Sequence, residues 1–200
     1  MLLVNIIDLG LGNVSSVENW AQKSLLSPKR VSKPSQLNDG LIIIPGVASA
    51  GEYMLRLKKT KLDQEIIKRY KYGQKIVGIC LGFQIMTNYS EEDSGTECLG
   101  LFEGKAVYLD NKRTHNGWEK FKFDVREFEN DINFSKRRKK TISGRVYFNH
   151  ELKVEINDNS IIHVLDNGIT SYSFKDNLFG FQFHPEKSQK TGVELLKMLV

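Results

Sequence analysis

Apolar, β-branched runs alternate with amphipathic stretches through the first half of the chain. Leu2 to Ile7 is followed by a helical spacing from Asn13 to Lys23, Leu41 to Ile44 by a second around Leu62 to Tyr72, and Ile76 to Ile79 leads into a third. This rhythm predicts a βαβαβα order, in which a parallel sheet carries helices on both faces. After about Gly100 the texture changes to shorter alternating segments: "KAVYL", "KFKFDV", "RVYFN", "IIHVL", "TSYSF" and "LFGFQF". These read as antiparallel strands added to the sheet or beside it, closed by an amphipathic helix from about Thr191 to Leu199. No repeat and no Pro/Gly/Ser linker divides the chain, so residues 1–200 are expected to form one domain.

Composition narrows the classes. Hydrophobic residues make up 40% of the 200 and charged residues 26%, a globular balance. The opening "MLLVNIIDLGLGNV" has no basic leader or cleavage site, and no segment reaches the roughly 18 apolar residues of a membrane span. A cytoplasmic protein with no membrane association is expected. Two cysteines, Cys80 and Cys98, make no disulfide framework, and no Cys/His spacing suits zinc, so neither metal nor cofactor is expected. Much of the formal +5 charge sits in Ser135 to Lys140, "SKRRKK", which has no aromatic or base-reading residue within it. It reads first as a solvated loop between two strands and second as an electrostatic docking patch, with no nucleic-acid partner.

The chemistry-bearing stretch is Gly78-Ile79-Cys80-Leu81-Gly82, a G-x-nucleophile-x-G turn between a strand and a helix. A thiol there projects outward, the helix start favours thiolate, and the Leu81 N–H faces a developing oxyanion. Cys80 needs a proton carrier. His163 lies in an alternating strand, His115 in the loop-like "THNGW", and His150 at the end of "RVYFN". His184 differs, because it ends the apolar "FGFQF" and Pro185 fixes a corner behind it. Glu186 then folds back to orient the imidazole, completing a Cys-His-Glu triad. Cys98 adjoins no base or helix start and reads as a packed thiol; Asp8 reads as a cap for the Gly10 to Asn13 loop.

As a set these residues resemble the class I glutamine amidotransferases. "GICLGFQ" is similar to that family's nucleophile segment and "FGFQFHPEKS" to its histidine segment, about a hundred residues apart. More narrowly, "IIDLGLGNVSSV", "IIIPGV", "HNGWE", "VYFNHE" and "HPEKSQKTG" resemble the glutaminase subunits of imidazole glycerol phosphate synthases over essentially the whole chain. The resemblance implies a flavodoxin-like α/β fold with a mainly parallel central sheet, helices on both faces and extra antiparallel strands in the C-terminal half. It also implies a heterodimer with a (βα)8-barrel synthase subunit, which receives ammonia and makes imidazole glycerol phosphate and AICAR in histidine biosynthesis. By the same resemblance Cys80 attacks the γ-amide of glutamine, His184 protonates the departing ammonia and then activates water, and Glu186 orients His184. Val47 supplies a second oxyanion N–H, Gly46 and Gln84 line the glutamine pocket, and Asn13, Trp118 and Lys187 face the partner.

Three segments depart from the family pattern. Ala48 stands where glycine usually follows "PGV", Glu151-Leu152 where Ser-Tyr is usual, and "HNGWE" where "HMGWN" is usual. Three alternatives follow from the residues: the same chemistry feeding amidation of a surface-polysaccharide sugar, a non-catalytic regulatory subunit, and a free-standing γ-glutamyl hydrolase. The intact Cys80, His184 and Glu186 weigh against the regulatory subunit, and "DLGLGN", "HNGW" and "HPEKSQ" against the hydrolase.

Overall fold

The computed structural model describes residues 2–124 and 141–200, so the basic run from Ser135 to Lys140 lies outside the described residues. The first half lays down β1 (Leu3–Ile7), α1 (Val14–Lys23), β2 (Ser27–Val31), β3 (Leu41–Ile44), α2 (Ala50–Thr60), α3 (Leu62–Lys71), β4 (Ile76–Ile79) and α4 (Leu81–Gln84). Short strands β5 (Tyr89–Ser90) and β6 (Thr96–Glu97) follow, then β7 (Gly104–Tyr108), the long pair β8 (His115–Asp124) and β9 (Thr141–His150), and β10 (Leu152–Ile156). The chain closes with β11 (Ile161–Val164), β12 (Thr170–Lys175), β13 (Leu178–Phe181) and α5 (Gln189–Leu199).

Seven strands form the main sheet in the order β11-β12-β13-β4-β3-β1-β2, and β10-β7-β5-β6 form a second sheet. β8 and β9 make a separate two-stranded ribbon. The alternation of faces along β1, β3 and β4 divides the core in two. Val4, Ile6, Leu41, Ile43, Val77 and Ile79 meet α1, α5 and the ribbon; Ile7, Ile42, Ile44 and Ile76 meet α2, α3 and the second sheet. A strand buried on both faces reads as a continuous apolar run, which is why β1, β3 and β4 were visible. Asn5 is the polar exception, and its amide is satisfied by Asn38 and Gly40.

The structure corrects several sequence expectations. β2, "SPKRV", is an edge strand with Lys29 and Arg30 exposed and only Val31 fully buried, so its apolar signal is absent. An edge also tolerates Pro28, which has no N–H to offer a ladder. One helix is present near Leu62 as expected, but α2 precedes it, and Lys61 at φ 61° breaks the two apart. "LFGFQF" is not simply antiparallel: β13 runs antiparallel to β12 but parallel to β4, which it joins at the sheet centre. "THNGW" is not a loop, since His115 begins β8 and pairs with His150 of β9. β10 is a further strand beyond those expected, although Leu152, Val154 and Ile156 alternate with Lys153 and Glu155 as in a half-buried strand.

Candidate active site

The turn at Cys80 is built by close backbone approach. A Cβ on Gly82 would lie 1.9 Å from the Ile44 carbonyl oxygen, and one on Gly46 would lie 2.5 Å from Leu81 Cβ and 2.7 Å from Gly82 N. Only glycine lets the end of β3 press against the bend that follows β4. Cys80 itself sits at φ 51° and ψ −109°, a conformation that costs a non-glycine residue about 1–3 kcal/mol. It is held there by its N–H, which donates to Phe181 O at 2.7 Å, and by its carbonyl, which accepts from Phe83 and Gln84 N–H. The helix it opens, α4, is a single turn, shorter than the sequence suggested. The local unpaired N–H groups, Leu81 N–H first among them, therefore matter more than a macrodipole.

His184 arrives from the other end of the chain. Its N–H donates to Tyr147 O at 2.8 Å, and its carbonyl accepts from Ser188 Oγ at 2.7 Å. Ser188 Oγ in turn accepts from Tyr147 N–H at 3.1 Å, so the histidine backbone is clamped to β9. The 3₁₀ turn Pro185–Lys187 then brings Glu186 round, and its Oε1 lies 2.8 Å from His184 Nδ1. Both side chains are 2% exposed. Burial pulls the His184 imidazole down, but the Cys80 sulfur and the Glu186 carboxylate outweigh it and push the group up to about 10. Nδ1–H donates to Glu186 Oε1, and the Cys80 sulfur is the imidazole's other hydrogen-bonding partner.

Cys80 and His184 share a cavity of about 220 Å³, the size of a small amino acid, with Gly46, Val47, Ala48, Leu81, Gln84, Glu92, Asn149, His150, Glu151 and Leu152. Cys80 Sγ lies 3.8 Å from the Asn149 carbonyl, and Gln182 Nε2 lies 3.9 Å from Sγ. Gln84 is buried, its Nε2 donating to Leu152 O at 3.1 Å. His150 also reaches the wall, but burial lowers it to about 4, so it stays neutral. Its Nδ1–H donates to Leu152 O at 2.7 Å, and its Nε2 lies 3.1 Å from His115 Nδ1. His115 Nε2 lies 3.2 Å from Glu119 Oε1.

Seven of the ten residues singled out from the sequence therefore converge on one place: Cys80, His184, Glu186, Leu81, Val47, Gly46 and Gln84. Trp118 and Lys187 meet separately on Tyr147, with ring centroids 5.7 Å apart for the tryptophan and Nζ 5.5 Å from the tyrosine ring for the lysine. Asn13 stands in the β1–α1 loop, where its Oδ1 accepts from Ser16 Oγ at 2.8 Å. Sequence reasoning missed Glu92, Asn149 and Gln182 as cavity or sulfur neighbours. Gln182 had a signal, as the lone polar residue in "FGFQF"; Glu92, in the exposed-looking "EED", had none.

Two bland readings are borne out. Burial pushes the Cys98 thiol up to about 12, far from thiolate. Asp8 Oδ1 accepts from Gly10 N–H at 3.0 Å, capping its loop. Among the described residues there is no group of three or more His, Cys, Asp or Glu able to hold a metal ion, and no helix is long and apolar enough to cross a membrane.

The family model described as "Glutamine amidotransferase class-I" matches residues 7–199. The imidazole glycerol phosphate synthase subunit HisH of Bacillus subtilis is 37% identical, covering 97% of this chain and 93% of its own. The subunit of the same name from Pyrococcus furiosus is 36% identical, covering 97% and 96%. Among solved structures, PurLQS from Thermotoga maritima superposes with a TM-score of 0.74 at 21% identity, over 99% of this chain and 97% of that one. A crystal structure of a glutamine amidotransferase does so with a TM-score of 0.77 at 14% identity, over 98% of each chain. At such identities these superpositions speak for the flavodoxin-like fold, while the near full-length family match and the relatives above 30% speak for descent: the chain belongs to the class I glutamine amidotransferases and is a glutamine-hydrolysing enzyme.

Proposed function

We propose that this chain is the glutaminase subunit of an imidazole glycerol phosphate synthase, with Cys80, His184 and Glu186 as its triad. The observation that carries the reading is the convergence of a strained, pocket-lining cysteine with a histidine 104 positions later whose Nδ1 is held by a buried carboxylate. The Cys80 sulfur attacks the γ-carbonyl carbon of glutamine. The Leu81 and Val47 N–H groups receive the oxyanion, and His184 passes its Nε2 proton to the amide nitrogen as the C–N bond breaks. Ammonia leaves a γ-glutamyl thioester, water attacks with His184 as base, and glutamate departs as the thiol re-forms. Glu186 fixes the tautomer throughout. Gly46 and Gln84 shape the wall, and the Glu92 carboxylate suits the substrate's α-ammonium.

The ammonia passes to a (βα)8-barrel synthase subunit, docked over Trp118, Lys187 and Asn13 in a cytoplasmic heterodimer. Release of glutamate by the purified chain, its loss in Cys80→Ala, and rescue of a histidine auxotroph lacking its glutaminase subunit on low ammonium test the reading. Rescue by wild type but not by Cys80→Ala is the expected result.

A second reading keeps the glutaminase chemistry and changes the recipient to a sugar-amidating synthase. It is favoured by the ribbon beside Trp118, where Glu119 faces His115 at 3.2 Å and Asn116 Oδ1 accepts from Tyr147 OH at 2.9 Å, both at positions that depart from the family pattern. Glutamate release without rescue of the auxotroph selects it.

A further inference from the structure

A line of hydrogen-bonding groups runs from the ribbon to the cavity wall. On that wall the Leu152 carbonyl accepts from Gln84 Nε2 at 3.1 Å and from His150 Nδ1 at 2.7 Å. His150 Nε2 lies 3.1 Å from His115 Nδ1, and His115 Nε2 lies 3.2 Å from Glu119 Oε1. The two histidines are paired across the β8–β9 ladder, and His115 stacks on Phe148 with ring centroids 4.7 Å apart. His150 lines the cavity; His115 stands behind it.

A carbonyl can only accept, so the order of protons along this line is forced. His150 must carry its proton on Nδ1. Burial is the main cause that keeps this ring neutral, and His115 and His184 act in the same direction against the Leu152 carbonyl. The His150 Nε2 is then a bare lone pair, and the group opposite it, His115 Nδ1, must be the donor. At the outer end the Glu119 carboxylate gives His115 Nε2 an acceptor of its own. Resting on the glutaminase reading above, we infer that His115 is a positioning residue of the glutamine pocket. Its Nδ1–H fixes the His150 tautomer, and thereby the Leu152 carbonyl on which Gln84 is held.

The test uses two substitutions of nearly equal shape. In His115→Asn an amide nitrogen can take the place of Nδ1–H and donate to His150; in His115→Asp a carboxylate oxygen stands there and only accepts. With the purified full chain and glutamate release at pH 8, His115→Asn should keep kcat/KM for glutamine within about threefold of wild type, and His115→Asp should lower it about tenfold, chiefly through KM. Nitrogen NMR of labelled histidine gives a readout that packing alone does not move. His150 should be neutral with its proton on Nδ1 in wild type and in His115→Asn, and should change tautomer or gain a second proton in His115→Asp. The wild-type spectrum decides even where a variant fails to fold. Equal kinetics in the two variants, or a wild-type His150 carrying its proton on Nε2, overturn the inference and leave the glutaminase reading standing. A wild-type chain that releases no glutamate overturns both.

Discussion

His184 Nδ1 and Glu186 Oε1 lie 2.8 Å apart with both side chains 2% exposed, while the second Glu186 oxygen, Oε2, is buried without a hydrogen-bond partner. A carboxylate so placed offers one strong acceptor, and it is spent on the imidazole. Together with the Cys80 sulfur, it keeps His184 protonated far above the ordinary histidine range, the state that the proposed mechanism needs for giving a proton to the departing nitrogen.

Replacing Glu186 by Gln should lower kcat about a hundredfold or more, because the imidazole loses both its orientation and its charge partner. In wild type, nitrogen NMR of labelled histidine should find His184 still an imidazolium at pH 8; in the variant its titration should move down toward the ordinary range. The sign for stability follows. A histidine raised on folding contributes fully below its unfolded value near 6.5 and loses that contribution as pH rises through about 10. The urea-denaturation difference between wild type and Glu186→Gln should therefore shrink across that window. A constant difference would show that Glu186 acts on packing alone.

The strained backbone at Cys80 gives an inverted glycine effect. Glycine ordinarily costs about 0.5–1 kcal/mol relative to alanine inside a regular element. At φ 51° and ψ −109° the order should reverse, with Cys80→Gly about 1–3 kcal/mol more stable than Cys80→Ala in chemical denaturation. Equal stabilities would mean that the bend carries no strain.

Gly82→Ala should destabilise strongly, by about 2–3 kcal/mol or more, since its methyl would lie 1.9 Å from the Ile44 carbonyl oxygen, a backbone atom that cannot swing aside. Thermal melting reads the effect. An unchanged midpoint would show that β3 and α4 separate more easily than their contact suggests.

Ala48 lines the cavity beside Val47 and has no positive φ in this structure. If the Val47 peptide turns toward the oxyanion through a left-handed step at the next residue, the methyl opposes it by roughly 1–2 kcal/mol. Ala48→Gly should then raise partner-free glutamine turnover by about fivefold to thirtyfold. An unchanged rate removes Ala48 from the account.

Trp118, 36% exposed, leans on Tyr147, whose backbone carbonyl holds the His184 N–H. An exposed aromatic in that position suits a hot spot of docking. On the proposed docking, Trp118→Ala should weaken binding of a (βα)8-barrel synthase subunit by about 2 kcal/mol, roughly thirtyfold, while leaving the melting temperature nearly unchanged. Wild-type affinity in the variant would place docking elsewhere.

Local chemistry and periodicity made much of this legible along the chain. β1, β3 and β4 declared themselves because a strand buried on both faces must be apolar throughout, and the elbow did so because two glycines must flank a nucleophile pressed against a neighbouring strand. Proline after His184 fixed the corner that returns Glu186 to the imidazole. What the chain could not announce is whatever depends on a distant partner. β2 is a strand only because β1 offers it an edge, and β13 is parallel only because a long excursion returns it beside β4. Glu92, Asn149 and Glu151 become neighbours of Cys80 through the packing of the second sheet and the ribbon around the bend. Side-chain periodicity records which face is buried; it carries no record of which remote charge will stand across the cavity, and that was decided by tertiary structure alone.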